Sequence, residues 1–172
     1  MPQGWDNFFF MIGSASAGLV GLLFVIVTLT AGIERSRALR GARLYMTPTA
    51  VLFCIVLSVC AVALAPGLPA WAMAALVFFI ALVGLANGVR SCLGIARMSL
   101  GADAPHWSDF WMYGVTPAAI CLGLCAAALA IAMGQPLADY ALAGLLLALL
   151  LAAIRNAWDL VTWMAPSSKV AG

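Results

Sequence analysis

The chain has 172 residues, of which 66% are hydrophobic and only 8% are charged, and its formal net charge is +2. Soluble domains carry about 25% charged residues, so this chain has too little polar surface to cover a water-facing globule. Its basic residues are few and stand at the ends of apolar stretches, which argues against a nucleic-acid surface. The composition therefore predicts a protein that lies mostly in lipid.

The first long apolar stretch covers about residues 8–33 and contains no charged residue. Within it Gly13, Ala17 and Gly21 recur every four residues, so a helix would carry them as one stripe of very small side chains. Such a stripe lets a second helix approach closely, and we predict that it serves helix packing or oligomerisation. The first basic residue, Arg35, follows this stretch, so we expect no cleaved signal peptide and interpret the stretch as the first transmembrane helix.

Four more apolar stretches follow, each of a length suited to a membrane span. Prolines near their starts fit the first turn of a helix, where a backbone N–H has no partner anyway. Turns with glycine and proline separate the second stretch from the third and the fourth from the fifth. The predicted spans are residues 48–65, 69–90, 109–133 and 136–158. The sequence thus predicts an all-α polytopic membrane protein, with residues 1–172 as one domain of five transmembrane helices.

The basic residues predict how these helices are oriented. Arg35, Arg37, Arg40 and Arg43 lie in the loop after the first span, and the positive-inside rule makes this loop cytoplasmic. The alternation of the spans then places the N-terminus outside and the C-terminus, with Lys169, inside.

Two segments of the chain resemble each other. Residues 45–60 (YMTPTAVLFCIVLSVC) and 113–125 (YGVTPAAICLGLC) each hold a tyrosine, a Thr-Pro pair and an apolar run with two cysteines. The similarity favours one helix followed by two helical hairpins, formed by spans two and three and by spans four and five. The two hairpins would have the same orientation in the membrane, as parallel repeats do. The alternative is chance similarity between apolar helices rich in alanine, leucine and valine.

Polar side chains within the predicted spans are the candidates for function, because ionisable residues in lipid are costly and rare. They occur late in the third and fifth spans, at similar distances from the prolines that precede those spans. The candidate cluster consists of Asn87, Arg90, Arg155, Asn156 and Asp159. This cluster favours a function near the cytoplasmic side, as a gate, as an anion-binding contact or in proton transfer. Within it, Asp159 lies one helical turn from Arg155. The alternative is that the arginines merely extend to the lipid headgroups.

The sequence offers little for catalysis or for a metal. The only histidine, His106, lies in a predicted loop, and we expect the five cysteines to pack as small hydrophobic side chains. Cys121 and Cys125 share a helix face, but a closed metal site needs about four ligands. There is no nucleophile elbow, phosphate loop or HExxH motif. We therefore expect a protein that is not an enzyme, with no catalytic residue, no metal and no cofactor.

Near its N-terminus the chain carries the pattern Trp-x-x-Phe-Phe, then a run of small residues, then Gly-Leu-x-Phe-Val. The matching residues are Trp5, Phe8, Phe9, Gly13 to Gly18, Gly21, Leu22, Phe24 and Val25. This segment, about residues 5–33, resembles the N-terminal helix of a group of small bacterial integral membrane proteins of unknown function. Some members are labelled as modulators of a membrane-bound AAA protease. The resemblance implies a multi-pass protein of the bacterial inner membrane.

Two functions follow as hypotheses. The first is a homo-oligomer that forms a pore or small permeation path for an ion or small solute, because five short spans leave little room for a cavity within one protomer. Small-residue stripes also favour close helix association. The second is a non-conducting accessory, scaffold or modulator subunit of a larger membrane complex. In both hypotheses the partners are the lipid bilayer and other membrane protein subunits, and not nucleic acid.

Overall fold

The structure is a bundle of long apolar helices. The computed structural model describes residues 4–30, 47–98 and 110–164. Within those ranges there are five α-helices, one π-helical segment and no β-strand. The helices are α1 (Trp5–Thr30), α2 (Thr47–Ala63), α3 (Ala70–Met98), α4 (Thr116–Ala132) and α5 (Ala138–Met164), and the π-helical segment Phe110–Val115 leads into α4.

Four of these elements are long and apolar enough to cross a membrane, namely α1, α3, α5 and α4 taken together with the π-helical segment. α2 is also apolar but has only 17 residues. The prediction of an all-α protein with several helices of spanning length is confirmed, while the fifth span is not. The arginine-rich loop that predicts the orientation lies outside the described residues, as do positions 31–33 of the first predicted span.

Two helices continue past the ends predicted for their membrane spans. α3 ends at Met98 and α5 at Met164, whereas their predicted membrane spans end near residues 90 and 158. Polar residues can end a membrane span without ending the helix, and the sequence predicts a fifth helix that runs to Met164. The fourth predicted span, residues 109–133, is correct in extent but begins with the π-helical segment, which the hydropathy pattern does not reveal.

Both hairpin turns use glycine in the same conformation. Gly67 after α2 and Gly134 after α4 each have φ of +69°, which glycine adopts without a steric penalty. After α4 the amide of Gln135 donates to the carbonyl of Ala130 (3.0 Å), and the amide of Gly134 donates to that of Ile131 (3.0 Å). This is the Schellman arrangement, which satisfies carbonyls at a helix end. In both turns a proline two residues after the glycine precedes the next helix.

The hairpins α2–α3 and α4–α5 pack into a four-helix bundle. The most extensive contact joins α3 to α4, and α2 packs against both α3 and α5. α1 packs on the outside of this bundle, against α2 and α5. The shared core is apolar and includes the fully buried side chains of Phe53, Val77, Leu124 and Leu146.

The burial pattern of the first hairpin recurs in the second with an offset of 69 residues, the distance from Thr47 to Thr116 and from Asn87 to Asn156. At most core positions a buried residue in one hairpin corresponds to a buried residue in the other. The pairs are Leu52/Cys121, Ile55/Leu124, Val56/Cys125, Val59/Ala128, Met73/Leu142, Ala74/Ala143, Val77/Leu146 and Ala81/Leu150. The two hairpins thus present equivalent sides to the core, as repeated hairpins would.

Candidate functional site

The five residues of the predicted polar cluster do not form one site. Asn87 and Asn156 each bond to the backbone within their own hairpin. Arg90 is exposed on α3, and Arg155 and Asp159 pair with each other on the surface of α5. The side chains that the sequence places at a similar depth therefore separate into two structural contacts and a charged surface.

The best-defined polar contact joins the end of α5 to the π-helical segment. Asn156 is only 2% exposed, and its Nδ2 donates to the carbonyl oxygen of Met112 at 3.2 Å. The hydroxyl of Tyr113 donates in turn to the carbonyl oxygen of Asn156 at 2.9 Å. A π-helical turn interrupts the regular hydrogen-bond pattern of a helix, and Asn156 brings a donor to a carbonyl within it. This contact satisfies polar groups that would be costly to leave unpaired in an apolar interior.

Asn87 has a comparable position in the first hairpin. Its Nδ2 lies 3.5 Å from the carbonyl oxygen of Pro48 in the first turn of α2, which is a long hydrogen bond. The hydroxyl of Ser91 donates to the backbone carbonyl of Asn87 at 3.0 Å. In both hairpins, therefore, an asparagine late in the second helix donates to a backbone carbonyl at the beginning of the first. These bonds close the end of each hairpin that lies opposite its tight turn.

Arg155 and Asp159 form the i,i+4 ion pair that their spacing predicts. Nη2 and Oδ2 are 3.7 Å apart, and the two side chains are 47% and 43% exposed. On the same helix Tyr140 and Trp158 are both exposed and are 18 positions apart. That separation is about 27 Å along a helix, close to the roughly 30 Å of a hydrocarbon core. The ion pair thus lies at the level where interfacial aromatic side chains are expected.

Exposed aromatic side chains occur at both ends of the bundle. Trp71 and Tyr140 lie just after the two tight turns, and the ring of Trp5 packs 5.1 Å from that of Tyr140. Trp111 and Trp158 are exposed near the opposite end. Two levels of tryptophan and tyrosine are typical of helices that meet the membrane interface on each side.

The α3–α4 crossing depends on two glycines. A Cβ added to Gly84 would lie 2.6 Å from Sγ of Cys121. One added to Gly88 would lie 2.9 Å from Cβ and 3.1 Å from Cα of Ala118. These glycines form a GxxxG motif, which allows helix backbones to approach closely. The sequence prediction missed this motif because it considered only the stripe on α1, although the four-residue spacing is visible in the sequence.

Of the predicted small-residue stripe, only Gly13 lies at a helix contact within the protomer. A Cβ on Gly13 would lie 3.1 Å from Cβ of Cys60 on α2. Ala17 and Gly21 are exposed, and a Cβ on Gly21 would have no neighbour within 4 Å. The stripe therefore divides between a contact with α2 and an outward face of α1.

The hydroxyl groups of α1 have separate roles. Ser16 is fully buried, and its Oγ donates to the carbonyl oxygen of Phe53 on α2 at 2.7 Å. Thr28 donates to the carbonyl of Val25 in its own helix at 2.8 Å. Ser14 is exposed on the outward face. Ser16 thus fixes α1 to the bundle, while Thr28 bonds back to its own helix.

The cysteines are free thiols, and three of them pack beside glycines of neighbouring helices. Cys60 packs beside Gly13, and Cys121 packs beside Gly84. Cys92 packs beside Gly114 of the π-helical segment. In the part of the chain that the structure describes, no three His, Cys, Asp or Glu side chains are placed to share a metal ion. His106 lies outside that part.

Two cavities lie at the margins of the bundle, and one of them lies at its end, where residues of α2, α3, α4 and α5 line the wall. One of about 240 Å³ lies between α1 and α2 and is lined by apolar residues such as Phe9, Leu57 and Leu64. The other, of about 270 Å³, lies beside the α2–α3 turn, with Gly67 and Asp139 in its wall. Comparisons with protein families, with characterised proteins and with solved structures gave no match. The functional argument therefore uses the residues of this chain alone.

Proposed function

We propose that the protein is a non-catalytic integral membrane protein that acts through lateral contacts with other membrane proteins, as an accessory or scaffold subunit. The use of its buried polar groups carries this proposal. Ser16, Asn87, Tyr113 and Asn156 each donate to a backbone carbonyl of a neighbouring helix or segment. Groups engaged in this way hold helices together, and this use leaves them poorly suited to pass an ion or a proton.

The composition of the interior supports the same proposal. Side chains at the centre of the bundle are apolar and packed against one another, with Leu142, Leu146 and Leu149 fully buried along α5. A conduction path needs polar groups or water along its length. The charged side chains Arg90 and Arg155 instead lie on the surface near one end of the bundle. This interior supports a role in contacts with other membrane proteins rather than in conduction through the protomer.

The proposed membrane arrangement has five spans, with the N-terminus outside and the C-terminus inside. α2 is included because its 17 residues rise about 25 Å, near the lower limit for a span. Its close packing with α1 and α3 also requires it to share their depth. We place the protein in a bacterial inner membrane because of the N-terminal resemblance.

A homo-oligomeric pore is the second candidate, and the outward face of α1 favours it. Gly18 and Gly21 are exposed there with no atom within 4 Å of an added Cβ, and their lack of side chains would allow a second protomer to approach closely. Because the protomer interior is filled, a permeation path would have to run between protomers.

Flux measurements with reconstituted protein separate the two candidates. We expect proteoliposomes with wild-type protein to release K⁺, Cl⁻ and small neutral solutes no faster than protein-free vesicles. Flux above that level would refute the accessory role. Asn87→Leu and Arg90→Leu would then locate the path, with Arg97→Leu, two helical turns beyond Arg90, as the control. A path through the predicted cluster would be altered by the first two substitutions and not by the third.

A further inference from the structure

α1 covers a face of the first hairpin whose counterpart in the second hairpin is uncovered. On α2, Phe53 and Cys60 are buried, and both contact α1. With the offset of 69 residues their counterparts on α4 are Leu122 and Leu129, which are 59% and 54% exposed. The other four buried hydrophobic residues of α2 have buried counterparts. α2 and α4 therefore differ in burial at the positions where α1 packs on α2.

On the neighbouring helix the two counterparts are both exposed. Tyr140 of α5 is 60% exposed and packs its ring against Trp5 of α1, and its counterpart Trp71 of α3 is 73% exposed. We call the surface formed by Leu122, Leu129 and Trp71 the open face. It lies on α4 and α3, and the repeat makes it equivalent to the surface on α2 and α5 that α1 occupies.

We propose that the open face binds α1 of a second copy of this chain, through the outward face of that helix. The internal repeat supplies the reason, because the equivalent surface already holds a helix of this kind. Within the protomer α1 meets α2 with two small residues three positions apart, Gly13 and Ser16. The outward face of α1 has the same spacing between Gly18 and Gly21. A Cβ added to either glycine would have no neighbour within 4 Å.

The direction of the helices also favours a second copy. Gly13 contacts Cys60 and Ser16 contacts Phe53, so α1 runs antiparallel to α2. Copies inserted into one membrane share their orientation, and α1 of a second copy would run antiparallel to α4 in the same way. An unrelated single helix would meet this condition only if it were inserted with its N-terminus on the same side.

The contact is heterologous, because each copy presents α1 on one side and the open face on another. Heterologous contacts build rings where the rotation closes and rows where it does not. This inference rests on the proposed lateral association and specifies its surface. It predicts assemblies that grow beyond two copies, in contrast to a two-fold dimer in which two open faces meet.

A photo-reactive amino acid at position 122 or 129 tests the contact in proteoliposomes of purified protein. We expect a product of twice the protomer mass whose cross-link maps to α1, between residues 10 and 25. Val83 is the control, because it is exposed on α3 but lies about 120° around that helix from Trp71. The yield from position 83 should be lower by about tenfold. Equal yields, products with lipid alone, or products that map to α3 or α4 would overturn the proposal.

Substitutions on the outward face of α1 provide an independent test. Gly18→Leu and Gly21→Leu fill open space in the protomer and should leave its folding intact. Each should lower the cross-linking yield from position 122 by about tenfold. Gly144→Leu is the control, because Gly144 is exposed on α5 with no atom within 4 Å of an added Cβ, and it should leave the yield unchanged. Unchanged yield in both glycine variants would refute this contact and would leave the flux comparison, which tests the accessory role, unaffected.

Discussion

Tyr113 donates a hydrogen bond from its hydroxyl to the carbonyl oxygen of Asn156 at 2.9 Å, and so joins the π-helical segment to the end of α5. The side chain of Asn156 returns the contact by donating to the carbonyl of Met112. Two bonds between the same short segments restrict the entry of the chain into α4 more than either bond alone. This junction is therefore where we expect polar substitutions to affect stability most.

Asn156→Leu should lower the free energy of unfolding by about 1–2 kcal/mol, because it removes the donor to Met112 from an apolar site. Tyr113→Phe should cost about 0.5–1.5 kcal/mol, since it removes one hydroxyl and leaves the packed ring in place. Unfolding of the reconstituted protein by a denaturing detergent measures both. In a double-mutant cycle the two effects should not add, because the residues share one contact. Strict additivity would show that the two bonds act separately.

Gly88→Val should destabilise the α3–α4 crossing by about 1–3 kcal/mol, because the added atoms meet the backbone of Ala118, which cannot rotate away. Gly144→Ala is the matched control. Gly144 is exposed on α5 with no atom near an added Cβ, so alanine should be neutral or should stabilise that helix by up to about 1 kcal/mol. The detergent concentration at half-unfolding compares the two. Equal effects would mean that the close approach at Gly88 is unimportant for stability.

Asp159→Asn should change the free energy of unfolding by less than about 1 kcal/mol, because its pair with Arg155 is nearly half exposed to the surroundings. The same detergent titration measures this change, and Asn156→Leu, one helical turn away, serves as the sensitive comparison. A large loss of stability in Asp159→Asn would indicate that the ion pair is shielded by lipid or by another subunit. That result would return the pair to the list of candidate functional residues.

The membrane fold could be predicted from the sequence because long apolar stretches leave few alternatives to transmembrane helices. The hairpin pairing also followed from local features, since turns at Gly67 and Gly134 with a proline two residues later are visible in the sequence. The partners of Asn87 and Asn156 could not be predicted in this way. Each bonds to a backbone carbonyl about 40 residues away, and every residue, proline included, offers the same kind of acceptor.

The small-residue stripe shows a second limit of sequence reasoning. Gly13, Ala17 and Gly21 share a helix face by spacing, yet only Gly13 packs within the protomer. Which part of a stripe is buried depends on how the partner helix crosses it, and that angle is set by contacts along both helices. Gly84 and Gly88 show the same four-residue spacing, so spacing alone did not indicate which of the two stripes packs within the protomer.

Reporters at the two termini should lie on opposite sides of the membrane if α2 is a span. A fusion after Lys169 should be active as a cytoplasmic fluorescent reporter, and a fusion before Trp5 should be active only as an exported enzyme. With α2 as a helix that does not cross, four spans would place both termini on one side. α2 packs against three longer helices, α1, α3 and α5, and for this reason we expect the five-span result. Termini on the same side would remove α2 from the membrane spans and reverse the alternation of all helices that follow it.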